Sequence, residues 1–314
     1  MRRKLVKQGG SALTVSLPSK WVKKFNLNAG DEIEMDEEKN NLLISKDEIK
    51  KGKKKIVINI DNYSYLTLAR YVYGLYRSNY DKIILIYKKS EIVDPKKERS
   101  TKLKTVIRKI VGRMVGAEIV SQSSERTDIE CFVTEENPDL EKIEKRIFFL
   151  FKETYSEIMG SIGPDYEEFH KTMYDHHDTI TKFINYYLRE LDKSNKSEEE
   201  KKVAYSFYML IDNLIDKLRH LSERINKFGC SNKVKKYMEE SFEIFFKIYA
   251  SVSKGKIPEE VIRRRYEIKE KLWDDNLKSD EAKVIMELMP FIDVFNDFSE
   301  YSIIKGIQNE TDNI

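Results

Sequence analysis

Downstream of Asn137-Pro138 the apolar side chains recur at helical spacing, and the pattern holds to about Gly306. That spacing restricts this stretch to packed helices. The punctuation divides it into six. Pro138 occupies a first helical position, where its missing N–H is no loss, and Gly160 with Gly163-Pro164 ends that helix. A second helix runs from about Asp165 to Leu191. Ser197 opens a third, closed at Phe228-Gly229, whose inward stripe is Phe207, Leu210, Leu214, Leu218, Leu221 and Ile225. A fourth spans about Lys233 to Ser253, Pro258 opens a fifth, and Ser279 caps a sixth that reaches about Gly306. Leu210-Ile211-Asp212-Asn213-Leu214-Ile215-Asp216 and Phe291-Ile292-Asp293-Val294-Phe295-Asn296-Asp297 share one pattern, apolar-Ile-Asp-x-apolar-x-Asp, each in the third helix of its set. A duplicated three-helix bundle over residues 137–308 is the expectation.

The front of the chain obeys a different period. Leu5-Val6-Lys7 and Ala12 to Leu17 are short strand patterns, Pro18 opens a helix continued by Ser19 to Phe25, and Asn28-Ala29-Gly30-Asp31 is turn chemistry. Two more strands, Glu32 to Met35 and Leu42 to Ile44, complete a β-β-α-β-β unit over residues 1–48. So small a unit buries little surface alone, which predicts pairing with a second copy through its strands. Lys50 to Lys55 is a solvated linker. Residues 55–135 read as a small α/β domain. Strands at 55–60 and 82–87 flank a helix capped by Asn62, and a charged loop containing Pro95 leads to a helix with Leu103, Val106, Ile107, Ile110 and Met114 inward. A hairpin at 117–121 and 128–133 closes the domain. The fold class expected is multidomain α+β.

Charge is placed unevenly. The whole chain is +3, yet Arg2, Arg3, Lys4, Lys7, Lys20, Lys23 and Lys24 all precede the first carboxylate, Asp31. A cationic, β-rich head is built to meet a polyanion, and double-stranded DNA is the partner expected. Gly9, Gly10 and Ser11 either bring backbone close to that partner or simply make a tight turn. Cys131 and Cys230 are the two cysteines and stand in no metal spacing, so a reducing cytoplasm fits. No apolar run approaches the ~18 residues of a membrane span.

Other candidates are weaker. Asp212/Asp216 and Asp293/Asp297 each place two carboxylates one helical turn apart, a geometry able to hold a hard cation or able to be a charged surface. His176-His177 reads as a solvent-facing doublet, because neighbours on a helix point about 100° apart. Cys131 reads as a buried apolar residue, and the Tyr/Phe-rich stretches at 148–155 and 242–249 as core or dimer surface. No nucleophile elbow, phosphate loop or HExxH is present, so an enzyme is not expected.

Lys7-Gln-Gly-Gly-Ser-Ala-Leu-Thr-Val-Ser-Leu-Pro-Ser-Lys-Trp21, followed by Leu27-Asn-Ala-Gly-Asp31, resembles the SpoVT/AbrB swapped-hairpin DNA-binding domain. Behind it, Gly116-Ala-Glu-Ile-Val120 and the Asn137-Pro138 helix start are similar to the junction of archaeal PhoU-type regulators, and the resemblance covers nearly the full length. It implies an AbrB-like dimeric head, a small α/β segment and a PhoU-like helical tail. It also implies a DNA-binding regulator of phosphate uptake that contacts DNA through Arg2, Arg3, Lys4, Lys7, Ser11, Lys20, Lys23 and Lys24. PhoU-like tails carry acidic helix motifs that bind divalent metal or iron in some members, and Asp212, Asp216, Asp293 and Asp297 stand in the corresponding positions. Thr179 and Thr181-Lys182 occupy second-helix positions where that pattern has an acid and an Asp-Arg pair. The alternative expectation is a signalling adaptor. Its tail would dock on a phosphate transporter or sensor kinase, and its head would serve mainly to dimerise.

Overall fold

The computed structural model describes residues 2–10, 12–38, 41–46, 53–94, 99–132, 139–164, 166–194, 196–252, 258–294, 298, 300–302 and 304. The chain divides into two compact units, Met1–Gly52 and Lys53–Ile314.

The first unit is built from β1 (Val6–Gln8), β2 (Ala12–Thr14), α1 (Ser19–Lys24), β3 (Glu34–Glu38) and β4 (Asn41–Ser45). β1 pairs antiparallel with β2, and β3 with β4, as two separate two-stranded ladders. Among the described side chains from Arg2 to Lys46 none is buried. Leu5, Val6, Leu13, Met35 and Leu42 are each more than half exposed. Two hairpins and a six-residue helix are too little to enclose a core.

The second unit begins with a four-stranded sheet, order β5-β6-β10-β9. β5 (Lys55–Asn59) runs parallel to β6 (Lys82–Ile86), joined by α2 (Tyr65–Arg77). β10 (Arg126–Cys131) lies antiparallel to both β6 and β9 (Ala117–Gln122). Along β6, Ile83 and Leu85 point to the core that α2 and α3 (Leu103–Val111) cover, as the two-residue period of a strand requires. Leu68, Ala69, Val72 and Tyr76 of α2 complete this core with Val106, Ile107 and Ile110 of α3 and with Cys131. Burial pushes the Cys131 thiol up.

Two local expectations are corrected here. Ser64, not Asn62, caps α2: a turn closed by Tyr63 N–H on the Ile60 carbonyl holds Asn62 before the helix, and Ser64 Oγ accepts from Thr67 N–H. The charged loop is in part a hairpin, β7 (Glu91–Asp94) on β8 (Arg99–Lys102). A single inward residue, Ile92, anchors it to the core. Pro95 lies outside the described residues.

The helices are α4 (Leu140–Ser161), α5 (Tyr166–Lys193), α6 (Glu198–Phe228), α7 (Asn232–Val252), α8 (Glu259–Asp274), α9 (Ser279–Ile285) and α10 (Met289–Asp293). α5 packs between α4 and α6, and α7 packs on α8 and α10. One hydrophobic cluster runs from Leu140 to Tyr301 through both helix sets, so the two share a continuous core. The aromatic stretches fill it: Tyr155 stacks on Phe242 at 3.9 Å, and Phe148 on Tyr249 at 4.5 Å. The expected sixth helix is broken. Pro290 has no N–H to give and its ring clashes with the turn before it, so Glu287 and Leu288 close short turns on Val284 and Ile285 before α10 begins.

The sheet layer is fastened to the bundle by polar contacts between α2 and α5. Arg189, 1% exposed, donates from Nη1 to the carbonyls of Tyr76 (2.7 Å) and Tyr80 (3.1 Å) and pairs with Asp81. Arg77 donates to Asn185 Oδ1 at 2.8 Å, and Asn185 Nδ2 to the Arg113 carbonyl at 2.9 Å.

Candidate nucleic-acid interface

β1 and β2 pair in the register Val6↔Thr14, Lys7↔Leu13, Gln8↔Ala12, and Thr14 Oγ1 donates to the Val6 carbonyl. The turn between them needs Gly9, whose φ of +68° lies in the left-handed region. A Cβ at Gly9 or Gly10 would meet nothing within 4 Å of the chain itself. Ser11 lies outside the described residues. Arg2, Arg3 and Lys4 sit on the extended segment leading into β1, and Lys7 sits on β1 itself; all four are exposed.

Pro18 stands at the N-cap of α1 rather than inside it, its carbonyl accepting from Trp21 (2.9 Å) and Val22 (3.0 Å). The helical period then sorts the six residues. Lys20, Lys23 and Lys24 fall on one face at i, i+3 and i+4. Trp21 turns toward Phe25, ring centroids 5.3 Å apart. Asn26, at φ 51°, ends the helix, and Lys46 Nζ donates to the Phe25 carbonyl at 2.9 Å, tying the end of β4 to the end of α1. The first carboxylate after the basic stretch is spent locally: Asp31 Oδ2 accepts from Asn28 N–H at 2.7 Å. Among the described residues, none of the seven cations from Arg2 to Lys24 forms an ion pair. Their charge faces solvent undiminished.

The acidic pairs meet basic side chains. Asp212 accepts from Arg77 at 3.1 Å, and Asp293 is held by Lys269 (2.6 Å) and Arg265 (3.4 Å). Asp216 lies 3.2 Å from Arg219. Basic side chains occupy the carboxylates, and among the described residues no group of three or more His, Cys, Asp or Glu is placed to hold a metal ion. Asp297 lies outside the described residues.

The histidine doublet does not face solvent as a pair. His176 reaches Glu157 at 3.2 Å, while His177 is buried between two carboxylates, with Nδ1 3.0 Å from Asp178 and Nε2 3.1 Å from Asp216. Asp178 also pairs with Arg113, and Arg219 links Asp216 to Glu223. A chain of alternating charge results: Arg113, Asp178, His177, Asp216, Arg219, Glu223. It joins the turn after α3 to α5 and α6. Burial opposes charge on His177, but the hydrogen bonds its ring donates to Asp178 and Asp216 outweigh it and raise the pKa. Asp216 is held down to about 2, burial being outweighed by His177 and Arg219. Sequence spacing hid this centre, because Arg113 is remote in the chain; the adjacent His177-Asp178 and the Asp216/Arg219/Glu223 spacing on one helix were the available signals.

Among the described residues no helix is long and apolar enough to cross a membrane. Neither a curated protein nor a solved structure matches the chain. Residues 6–55 do match the family model for antidote-toxin recognition MazE, a bacterial antitoxin. The match takes in the whole run of paired strands and the basic helix, and leaves the sheet layer and bundle outside it. The amino-terminal unit, with its unneutralised cations, is therefore similar to a DNA-binding or antitoxin-type regulatory domain.

Proposed function

We propose that the chain is a DNA-binding transcriptional regulator whose amino-terminal units pair in a homodimer and grip double-stranded DNA. The observation that carries this reading is the set of seven exposed cations with no acidic partner among the described residues, four of which, Lys7, Lys20, Lys23 and Lys24, lie in the segment that matches a MazE-type family model. The exposed Leu5, Val6, Leu13, Met35 and Leu42 support pairing, since a second copy would remove them from water. On this reading the hairpins of two chains interleave, and the two basic faces add.

The role of the helical part in phosphate uptake, with a phosphate transporter or sensor kinase as partner, rests on its resemblance to PhoU-like tails. The MazE-type match favours a second reading, an antitoxin-type regulator whose larger unit engages a protein partner. Both readings require the head to bind DNA, and the division at Gly52/Lys53 offers the test. In fluorescence anisotropy with a random-sequence duplex, the full chain is expected to bind and residues 53–314 alone are not. Equal binding by the two would remove the head from the interface.

A further inference from the structure

Beside the alternating charge chain, the second unit opens a pocket of about 410 Å³ that neither proposed reading uses. Its lining comes from Tyr65 and Leu66 at the start of α2, Ile92, Asp94 and Thr101 on the β7–β8 hairpin, Val106 and Lys109 on α3, Arg113 just after it, and Tyr174, His177, Asp216, Arg219 and Glu223 on α5 and α6. The volume is that of a small-molecule site, and its place between two packed layers is a common one for such sites.

Most of the charges in it are paired. Lys109 Nζ and the Arg219 guanidinium both approach the Tyr174 ring, at 5.8 Å and 5.3 Å from its centroid. Arg219 is neutralised by Asp216 and Glu223, which are thereby spent. Asp94 also lines the pocket and has an interaction of its own. Arg113 is paired with Asp178, which also binds His177. Lys109 alone among these cations forms no ion pair among the described residues. The apolar and aromatic part of the lining is Leu66, Ile92, Val106 and the rings of Tyr65 and Tyr174. A cation without an ion pair beside an apolar wall, with a second cation near the same tyrosine ring, selects for an anion with an apolar body.

We propose that this pocket binds a small organic acid, with a single carboxylate on Lys109 and an aromatic or branched apolar body against Leu66, Ile92 and Val106. A ligand there touches the sheet layer and the α5–α6 pair at once. It would stabilise their association as a molecule held only by one of them would not. The site does not depend on whether the head binds DNA.

The test is calorimetric titration of the full chain with benzoate as probe, alongside benzyl alcohol, its near-isostere without charge, and inorganic phosphate, which has charge and no apolar body. Two exposed positions supply the variants, so folding is not at stake: Lys109→Gln removes the cation, and Leu66→Trp fills the apolar wall. Benzoate is expected to bind at least about fivefold more tightly than either comparator, and each substitution is expected to weaken it by at least about fivefold. No heat with benzoate would overturn the proposal, as would equal binding of benzyl alcohol, tighter binding of phosphate, or benzoate affinity unmoved by both substitutions.

Discussion

His177 is a buried titratable group held between two carboxylates. Both of its ring nitrogens face carboxylates, Asp178 at 3.0 Å and Asp216 at 3.1 Å, so only the imidazolium can donate at both ends. Neutral imidazole must turn a lone pair toward one carboxylate. The folded pKa is raised above the unfolded one, so the stabilisation is fully present below the unfolded value and is lost as pH rises through the folded pKa. Asp216 works in the opposite sense. Its pKa is depressed to about 2, so its contribution is present above the ordinary carboxylate range and disappears only as pH falls through about 2. Taken at face value that depression is worth roughly 2.5 kcal/mol. The Asp216 side chain is 52% exposed, and screening by solvent reduces the figure to about 1–2 kcal/mol. His177→Gln places one donor and one acceptor where two donors were needed, at a site 7% exposed. We expect it to destabilise the second unit by about 2 kcal/mol at about pH 6, with the deficit shrinking as the pH is raised and the native histidine loses its proton. Urea unfolding of both proteins across the neutral range measures this. A deficit that stays constant with pH, or grows toward alkaline pH, would refute the reasoning.

Two further outcomes follow from the packing. Arg189→Met leaves the carbonyls of Tyr76 and Tyr80 and the Asp81 carboxylate without their donor, and should cost about 3–5 kcal/mol in urea unfolding; a loss below about 1 kcal/mol would show that the joint between sheet and bundle is not fastened there. Gly229→Ala tests the end of α6: a Cβ there meets nothing within 4 Å, so the expected loss of about 1 kcal/mol would come from backbone strain at φ +77° alone, and an unchanged midpoint would contradict it.

What the sequence made legible follows from the range of the forces involved. The Ser197 N-cap with Glu200 three residues on is a local signal, and the reciprocal capping box is present at α6. The strand and helix order of the head is likewise set by near neighbours. The break at Pro290 was equally local and readable, yet the apolar stripe continued across it and masked it. Ile92 shows the opposite case: one buried residue in a charged stretch makes a hairpin, and nothing within that stretch announces the core it meets. The site residues divide in the same way. Cations such as Lys20 and Lys23 remain exposed because no acid lies close in the chain. Asp212 and Asp293, whose spacing left a cation site and a charged surface both open, pair with Arg77 and Lys269, partners that only the tertiary fold supplies. The pairing of His177 with Asp216, from the next helix, was hidden for the same reason.

The account stands or falls on the unpartnered cations of the head, and the salt dependence of DNA binding measures them directly. If Arg2, Arg3 and Lys7 of both protomers each meet a phosphate, the plot of log affinity against log salt has a slope of about −5 or steeper, and Arg2→Gln/Arg3→Gln/Lys7→Gln makes it shallower by about 5. A slope near zero in the native chain, or a slope that the triple substitution leaves unchanged, would contradict a head that holds DNA by its backbone.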